Sequence, residues 1–320
     1  RFQNAAFLEY LNILPSVEQG PSALHQTMFW TEDELELLRG TDALQIALQL
    51  KQQLRQDFGK IVAELFLAHP KLFPVDKFTY REYKWALGIL WSRGMDFMST
   101  MRGGHQQVSF RAMVPYADLF NTDFSGPVSH RFVVNRGMVQ LLAKQDFAAG
   151  EQVFINYTPT SSSRMAQLYG FALRPPVNVA HESMQLWAAM NPNSPNFAVA
   201  QQALAVALPG VDPNSSPFLL TEADPLPQSL IVALHCQRAK PVPLNGVEPS
   251  QEVLQELLNA LEQRRASYAN NGDRMQDLKL AMGPEPLPER KKIALYLRMV
   301  EGRILDKALA KLRAACEPVA

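Results

Sequence analysis

The stretch Val114–Phe171 opens VPYADLFNTD (114–123) and closes GEQVFINYTPTSSSRMAQLYGF (150–171). Its first part leaves an apolar run and turns polar at Asp118 and Asn121. In the second part the two-residue side-chain period of a strand puts Val153, Ile155 and Tyr157 on one face, with the phenol at the strand end. Ser161–Ser163 then offers N-caps for a short helix over 164–169, which Gly170 ends. No nucleophile with a neighbouring base and no metal-ligand spacing occurs here. Two phenols and a polar loop rich in backbone groups suit chemistry that orients a neutral amine and holds a polar cofactor.

Upstream, Thr31-Glu32-Asp33-Glu34 reads as a capping box whose short helix ends at Gly40. The spacing of Leu44, Leu48, Leu54, Phe58, Ile61 and Leu65 predicts a long helix over 42–68, closed by Pro70 and Pro74. A second amphipathic helix is expected over 79–93. Period-two strands follow at 108–114, 130–134, 138–142 and 152–157, the middle pair joined through Asn135-Arg136-Gly137. After Arg174-Pro175-Pro176 the pattern turns helical, with helices expected at 197–208, 226–237, 251–268, 274–282 and 289–315.

At 320 residues, with 47% hydrophobic and 19% charged residues, the chain has room for two folded domains. Lys plus Arg and Asp plus Glu balance at 31 each, leaving no net field to recruit nucleic acid or an acidic membrane. Arg264-Arg265 and Arg290–Lys292 read as solvated helix faces. Cys236 and Cys316 lack CxxC spacing, which argues against a disulfide framework or structural zinc and fits a reducing compartment. No apolar run approaches a membrane span. His181 and His235 read as structural.

The motifs P-Y-A-D-L-F-N (115–121), G-E-Q-V-F-I-N-Y (150–157) and Y-G-F (169–171) resemble the second half of a SET domain, in the subgroup of the RuBisCO large-subunit methyltransferase. The segment LNILPSVEQGPSALHQTMFWTEDELELLRG (11–40) is similar to the helical insert that splits that domain, and the C-terminal helices are similar to its substrate-binding domain. The resemblance implies an α+β chain: a partial β-rich SET fold with a helical insert, then an all-helical domain. Residues 1–173 would form the SET part (insert 1–93, core 94–173) and 174–320 the helical domain.

The activity implied is transfer of a methyl group from S-adenosyl-L-methionine to a lysine amine of a protein substrate. Tyr157 and Tyr169 would be the catalytic pair. Arg93, Asp118, Leu119, Phe120, Asn121 and Thr122 would hold the cofactor, with Asp118 shaping its loop or lining the channel and taking no acid–base role. Thr122 stands where the family has histidine. Tyr169 favours lysine over histidine as acceptor, because the related actin-histidine enzyme has a small residue there.

The family's Gly-rich strands precede the insert, and the chain opens at the insert. Gly103-Gly104 does not replace them, so the resemblance leaves open an inactive, SET-derived binding module, with a histidine methyltransferase as a further alternative. A monomer is expected, without nucleic-acid or membrane partners. The address expected is soluble and intracellular, with chloroplast, nucleus and cytoplasm undistinguished.

Overall fold

Each strand expected from the period-two pattern finds a partner in the computed structural model, which describes residues 5–17, 23–100, 107–123, 128–133, 136–157, 159–238 and 250–316. Gly103-Gly104, Val134 and Asn135 lie outside the described residues. Strands β1 (Gly94–Thr100) and β2 (Gln107–Met113) pair antiparallel, with Asp96 opposite Arg111. β3 (Asn121–Thr122), β4 (Val128–Val133), β5 (Met138–Ala143) and β6 (Phe154–Ile155) form a sheet of order β3-β6-β4-β5. In it β6 runs parallel to both β3 and β4. The β3–β6 pairing sets Asn121 beside Phe154 and so joins the two motif segments.

The chain divides into two compact units. The first comprises 1–29, 49–160 and 164–171; the second comprises 30–48, 161–163 and 172–320. The first unit holds helix α1 (Ala5–Asn12), most of α3 (Asp42–Ile61), α4 (Tyr80–Arg93) and these two sheets. Met95, Phe97, Ala117, Val128 and Ile155 make its sheet core, against which Tyr157 packs.

Two sequence expectations are corrected in this unit. The residues after Arg93 form strand β1, where no strand was expected, and α3 passes at Val62 into a π-type turn through Phe66. The wider turn moves the apolar face by one residue. Phe66 is buried among Phe58, Phe73 and Phe78, and Leu65, expected inside, is 40% exposed.

The second unit contains α2 (Glu32–Glu36), the ribbon β7 (Met184–Leu186) and β8 (Phe218–Leu220), and α6 (Phe197–Ala207), α7 (Gln228–Cys236), α8 (Gln251–Ser267), α9 (Arg274–Met282) and α10 (Glu289–Cys316). The overall class is α+β as expected, and the three-residue strands add a ribbon to the otherwise helical C-terminal region. Helix α10 buries Leu297, Val300, Ile304, Leu305, Ala308 and Leu312 on one side.

Residues 30–48, which the sequence assigns to the insert of the first domain, cluster with this unit. The capping box forms as expected: Thr31 Oγ1 accepts from Glu34 N–H (3.3 Å), and Glu34 accepts from Thr31 N–H (2.8 Å). Gly40 has φ +85°, and a Cβ there would come within 2.8 Å of the Tyr268 backbone. Arg298 donates to Leu37 O (2.6 Å), and Asp42 N–H donates to buried Glu301 (2.9 Å). Arg264 bridges Asp42 and Glu301, and Arg290 pairs with Glu34 at 2.6 Å. Arg264 and Arg290 therefore stitch segments together from mostly buried positions, which corrects their reading as solvated faces.

Candidate active site

Helix α4 ends where β1 begins, and this junction supplies one wall of a cavity of about 140 Å³ in the first unit: Ser92, Arg93, Gly94, Met95 and Asp96. Arg111 on β2 and Asp118 on the following helical turn (Ala117–Leu119) form a second side. Ile155, Asn156 and Tyr157 at the end of β6, with Tyr169 at the end of α5 (Ser162–Leu168), complete the lining. Typical small-molecule sites occupy roughly 300–1,000 Å³. This cavity suits a narrow group: one amine-bearing side chain, or the amino-acid end of a larger ligand.

Tyr157 is tied at both ends. Its backbone N–H donates to Thr122 Oγ1 (3.0 Å), and its hydroxyl donates to Phe120 O (2.8 Å). Phe120 and Thr122 thus act on the site through Tyr157, and the hydroxyl of Thr122 has a defined task. The rings of Tyr157 and Tyr169 lie 4.9 Å apart at 36°. Burial raises the Tyr157 phenol above its ordinary range, Tyr169 and Asp118 add to this, and Arg93 opposes it. Burial likewise raises Tyr169, with Arg111 opposing and Asp96 reinforcing.

Tyr169 closes α5 by donating its backbone N–H to Met165 O (2.8 Å). Gly170 follows with φ +79°, where a Cβ would meet Gln26 N at 2.8 Å. Buried Gln26 donates to Gly88 O (2.7 Å) and Leu168 O (3.1 Å), fixing the end of α5 against α4. The Y-G-F element is therefore a close backbone crossing that admits only glycine at its centre.

Asp118 is 6% exposed and takes a hydrogen bond from Tyr10 on α1. Burial raises its carboxyl above the usual range, while Tyr10 and Arg93 pull it down. Asp118 Oδ1 and Arg93 Nε are buried atoms without a hydrogen-bond partner among the described residues. Asp96 and Arg111 form a two-bond pair (2.8 and 2.6 Å) at the cavity edge.

Of the sequence-predicted site residues, Arg93, Asp118, Tyr157 and Tyr169 line one cavity. Leu119 is 47% exposed and Asn121 is exposed; neither lines the cavity, nor do Phe120 and Thr122. Tyr10, Asp96 and Arg111 had no motif to mark them. Asp96 and Arg111 meet only through the pairing of β1, and Tyr10 lies 108 residues from Asp118.

No family model matches the chain. It is 30% identical over 178 residues to the chloroplastic [fructose-bisphosphate aldolase]-lysine N-methyltransferase of Arabidopsis thaliana, a match covering 53% of this chain and 34% of that protein. It is 28% identical over 228 residues to the actin-histidine N-methyltransferase of Gallus gallus, covering 69% of this chain and 35% of that one. The chain thus spans about a third of the length of these curated relatives. A solved structure of Rubisco LSMT bound to AdoMet superposes with a TM-score of 0.75 at 22% identity, over 98% of this chain and 72% of that one. In sequence and in fold the chain resembles the SET-domain methyltransferases of the Rubisco large-subunit type.

Proposed function

We propose that this chain, with the fold of the Rubisco large-subunit methyltransferase, carries the acceptor channel of a protein-lysine N-methyltransferase that uses S-adenosyl-L-methionine. One observation carries the reading. Tyr157 spends its only hydroxyl hydrogen on Phe120 O, so toward anything in the cavity its oxygen can only accept. A half-buried acceptor beside a second phenol suits an amine, which brings N–H donors and needs its lone pair free and aimed.

A lysine ammonium ordinarily titrates near 10.4, so neutralising it at pH 7 costs about 4–5 kcal/mol. Withdrawal of the amine from water against these half-buried rings lowers that cost by destabilising the charged form. Tyr157 then accepts one N–H and fixes the direction of the lone pair, while Tyr169 and the β1–β2 edge line the same cavity.

The cavity also fits the amino-acid end of the cofactor. Among the described residues Arg93 Nε is an unpartnered donor for a carboxylate and Asp118 Oδ1 an unpartnered acceptor for an ammonium. S-adenosyl-L-methionine, when bound, supplies an electrophilic methyl group on a sulfonium. Leu119 and Asn121 are assigned to its nucleoside side on the strength of the motif resemblance. The SET part is assigned to 1–173, and the helical region 174–320 is assigned to docking the protein that bears the target lysine. No helix among the described residues is long and apolar enough to cross a membrane.

The similarity to actin-histidine methyltransferases supports a second reading with an imidazole acceptor. Tyr169 argues for lysine, because a second phenol narrows the channel. The deciding experiment incubates the full-length protein with methyl-labelled S-adenosyl-L-methionine and undigested protein extract, then hydrolyses the product to amino acids. Label in methyl-lysine is expected. Label in methyl-histidine would move the assignment to the second reading, and no transfer would sink both.

A further inference from the structure

Asp118 is a buried carboxylate whose two oxygens have different fates. Oδ2 accepts from the Tyr10 hydroxyl, and Oδ1 has no hydrogen-bond partner among the described residues. Tyr10 sits on α1, is 4% exposed, and reaches Asp118 across 108 residues of chain. The charged and titratable groups acting on Asp118 are Tyr10 from α1, Arg93 from the end of α4, and Tyr157 after β6.

A buried carboxylate keeps its charge only where donors and cations hold it. Arg93 supplies a cation beside it, but the unpartnered Nε shows that this guanidinium has hydrogen-bonding capacity left over. Among the described residues Tyr10 is the side-chain donor to Asp118, whose own backbone N–H assists, and a donor on one oxygen also fixes the plane of the carboxylate.

We infer that Tyr10 is a positioning residue: by donating to Oδ2 it holds Asp118 charged and turned, so that Oδ1 serves as the acceptor for an ammonium in the cavity. Together with Arg93 this makes a receptor for the head of an α-amino acid, carboxylate on Arg93 and ammonium on Asp118. The inference deepens the proposed function and rests on it for the identity of the ligand. The ammonium could belong to the cofactor's amino-acid end or to the acceptor lysine before it loses its proton. Both have the same chemistry, and the test separates them.

The first arm needs no ligand. In the full-length protein with labelled aspartate, the Asp118 side-chain carbon is followed by NMR from pH 3 to 8, assigned through Asp118→Asn. Removal of the donor in the near-isosteric Tyr10→Phe should raise the titration midpoint, making the carboxylate about tenfold more proton-avid. A purely structural tyrosine would leave it in place, and an unmoved midpoint in a folded Tyr10→Phe protein overturns the inference.

The second arm measures calorimetric affinity for S-adenosyl-L-methionine and for 5′-methylthioadenosine, which lacks the amino-acid head. Tyr10→Phe should weaken the first about tenfold near pH 6 and less near pH 8, and leave the second unchanged. Asp118→Asn should show the weakening at both pH values. If cofactor affinity holds but KM for the protein acceptor rises with kcat preserved, the ammonium is the acceptor's. If neither moves, the positioning role fails. Absence of cofactor binding by the wild type would defeat the functional reading, while the Asp118 titration would still decide the role of Tyr10.

Discussion

A phenol whose hydrogen is already committed has one way left to act on a ligand. Tyr157 is in that position, so the consequence of Tyr157→Phe can be stated with a sign. The ring and its contact with Tyr169 remain, while the acceptor for the amine N–H is lost together with the hydrogen bond to Phe120 O. We expect kcat to fall about 10²–10³-fold, the usual cost of one preorganised polar contact at a reacting centre. The lost bond to Phe120 O should cost about 1 kcal/mol in stability, cofactor affinity should stay near wild type, and unchanged turnover would remove Tyr157 from the chemistry.

Thr122 gives a companion prediction. Its hydroxyl receives the Tyr157 N–H, so Thr122→Val leaves a part-buried donor unpaired and should cost about 1–3 kcal/mol in stability. Thr122→Ser keeps the acceptor and should cost far less. Equal losses in urea titrations of the two variants would mean that the hydrogen bond is idle.

At the scale of elements, local rules were legible and shared pairings were not. The capping box at Thr31, helices α4, α6, α8, α9 and α10, and the partners β4 and β5 could be read because each rests on neighbours within a few residues. β1 could not be read, because its pattern Met95, Phe97 inward and Asp96, Met98 outward acquires meaning only against β2. The π-type turn at Val62–Phe66 could not be read either: a helical wheel drawn at the regular period sends Leu65 inward. The candidate site follows the same division. Tyr157, Tyr169, Asp118 and Arg93 lie in motifs, whereas Tyr10, Asp96 and Arg111 depend on distant chain.

Gly40 shows how a local rule acquires tertiary weight. A C-terminal glycine with positive φ was expected, and the structure adds the backbone of Tyr268 where a side chain would go. Replacement of an exposed turn glycine costs about 1 kcal/mol. Gly40→Ala must also displace the start of the Tyr268 loop, so we expect it to exceed about 2 kcal/mol by chemical denaturation. Thr31→Ala, a simple cap loss, should cost about 1 kcal/mol. A smaller loss at Gly40 than at Thr31 would contradict the crowding.

Across the whole molecule, charge pairing makes the second unit sensitive to acid. Glu222 takes two bonds from Arg303 (2.7 and 3.1 Å) and pairs with Lys307 at 2.9 Å. The Arg303 hydrogen bond is the main reason its carboxyl lies below the ordinary 4.5, with burial opposing and Lys307 assisting. A carboxyl depressed in the folded state contributes stability above its unfolded value and loses it as pH falls through the folded one. Wild type should therefore melt above Glu222→Gln at pH 7, with the gap nearly constant down to about pH 5 and closing toward pH 3. A gap that persists undiminished at pH 3 would assign the effect to shape.

The placement of residues 30–48 in the second unit also has a consequence in time. Translation runs at about 5–20 residues per second, so roughly 6–25 s separate Leu48 from Ala172, the start of the long stretch that completes this unit. During that interval Trp30, Leu35 and Leu38, all buried in the finished protein, have been made before most of the unit they belong to. The same few residues carry Glu32, Asp33, Glu34 and Glu36. Acidic side chains set between apolar ones act as gatekeepers against premature self-association. The run that caps α2 in the folded state is therefore also the one that sets four carboxylates among these apolar side chains while the rest of the unit is still being made.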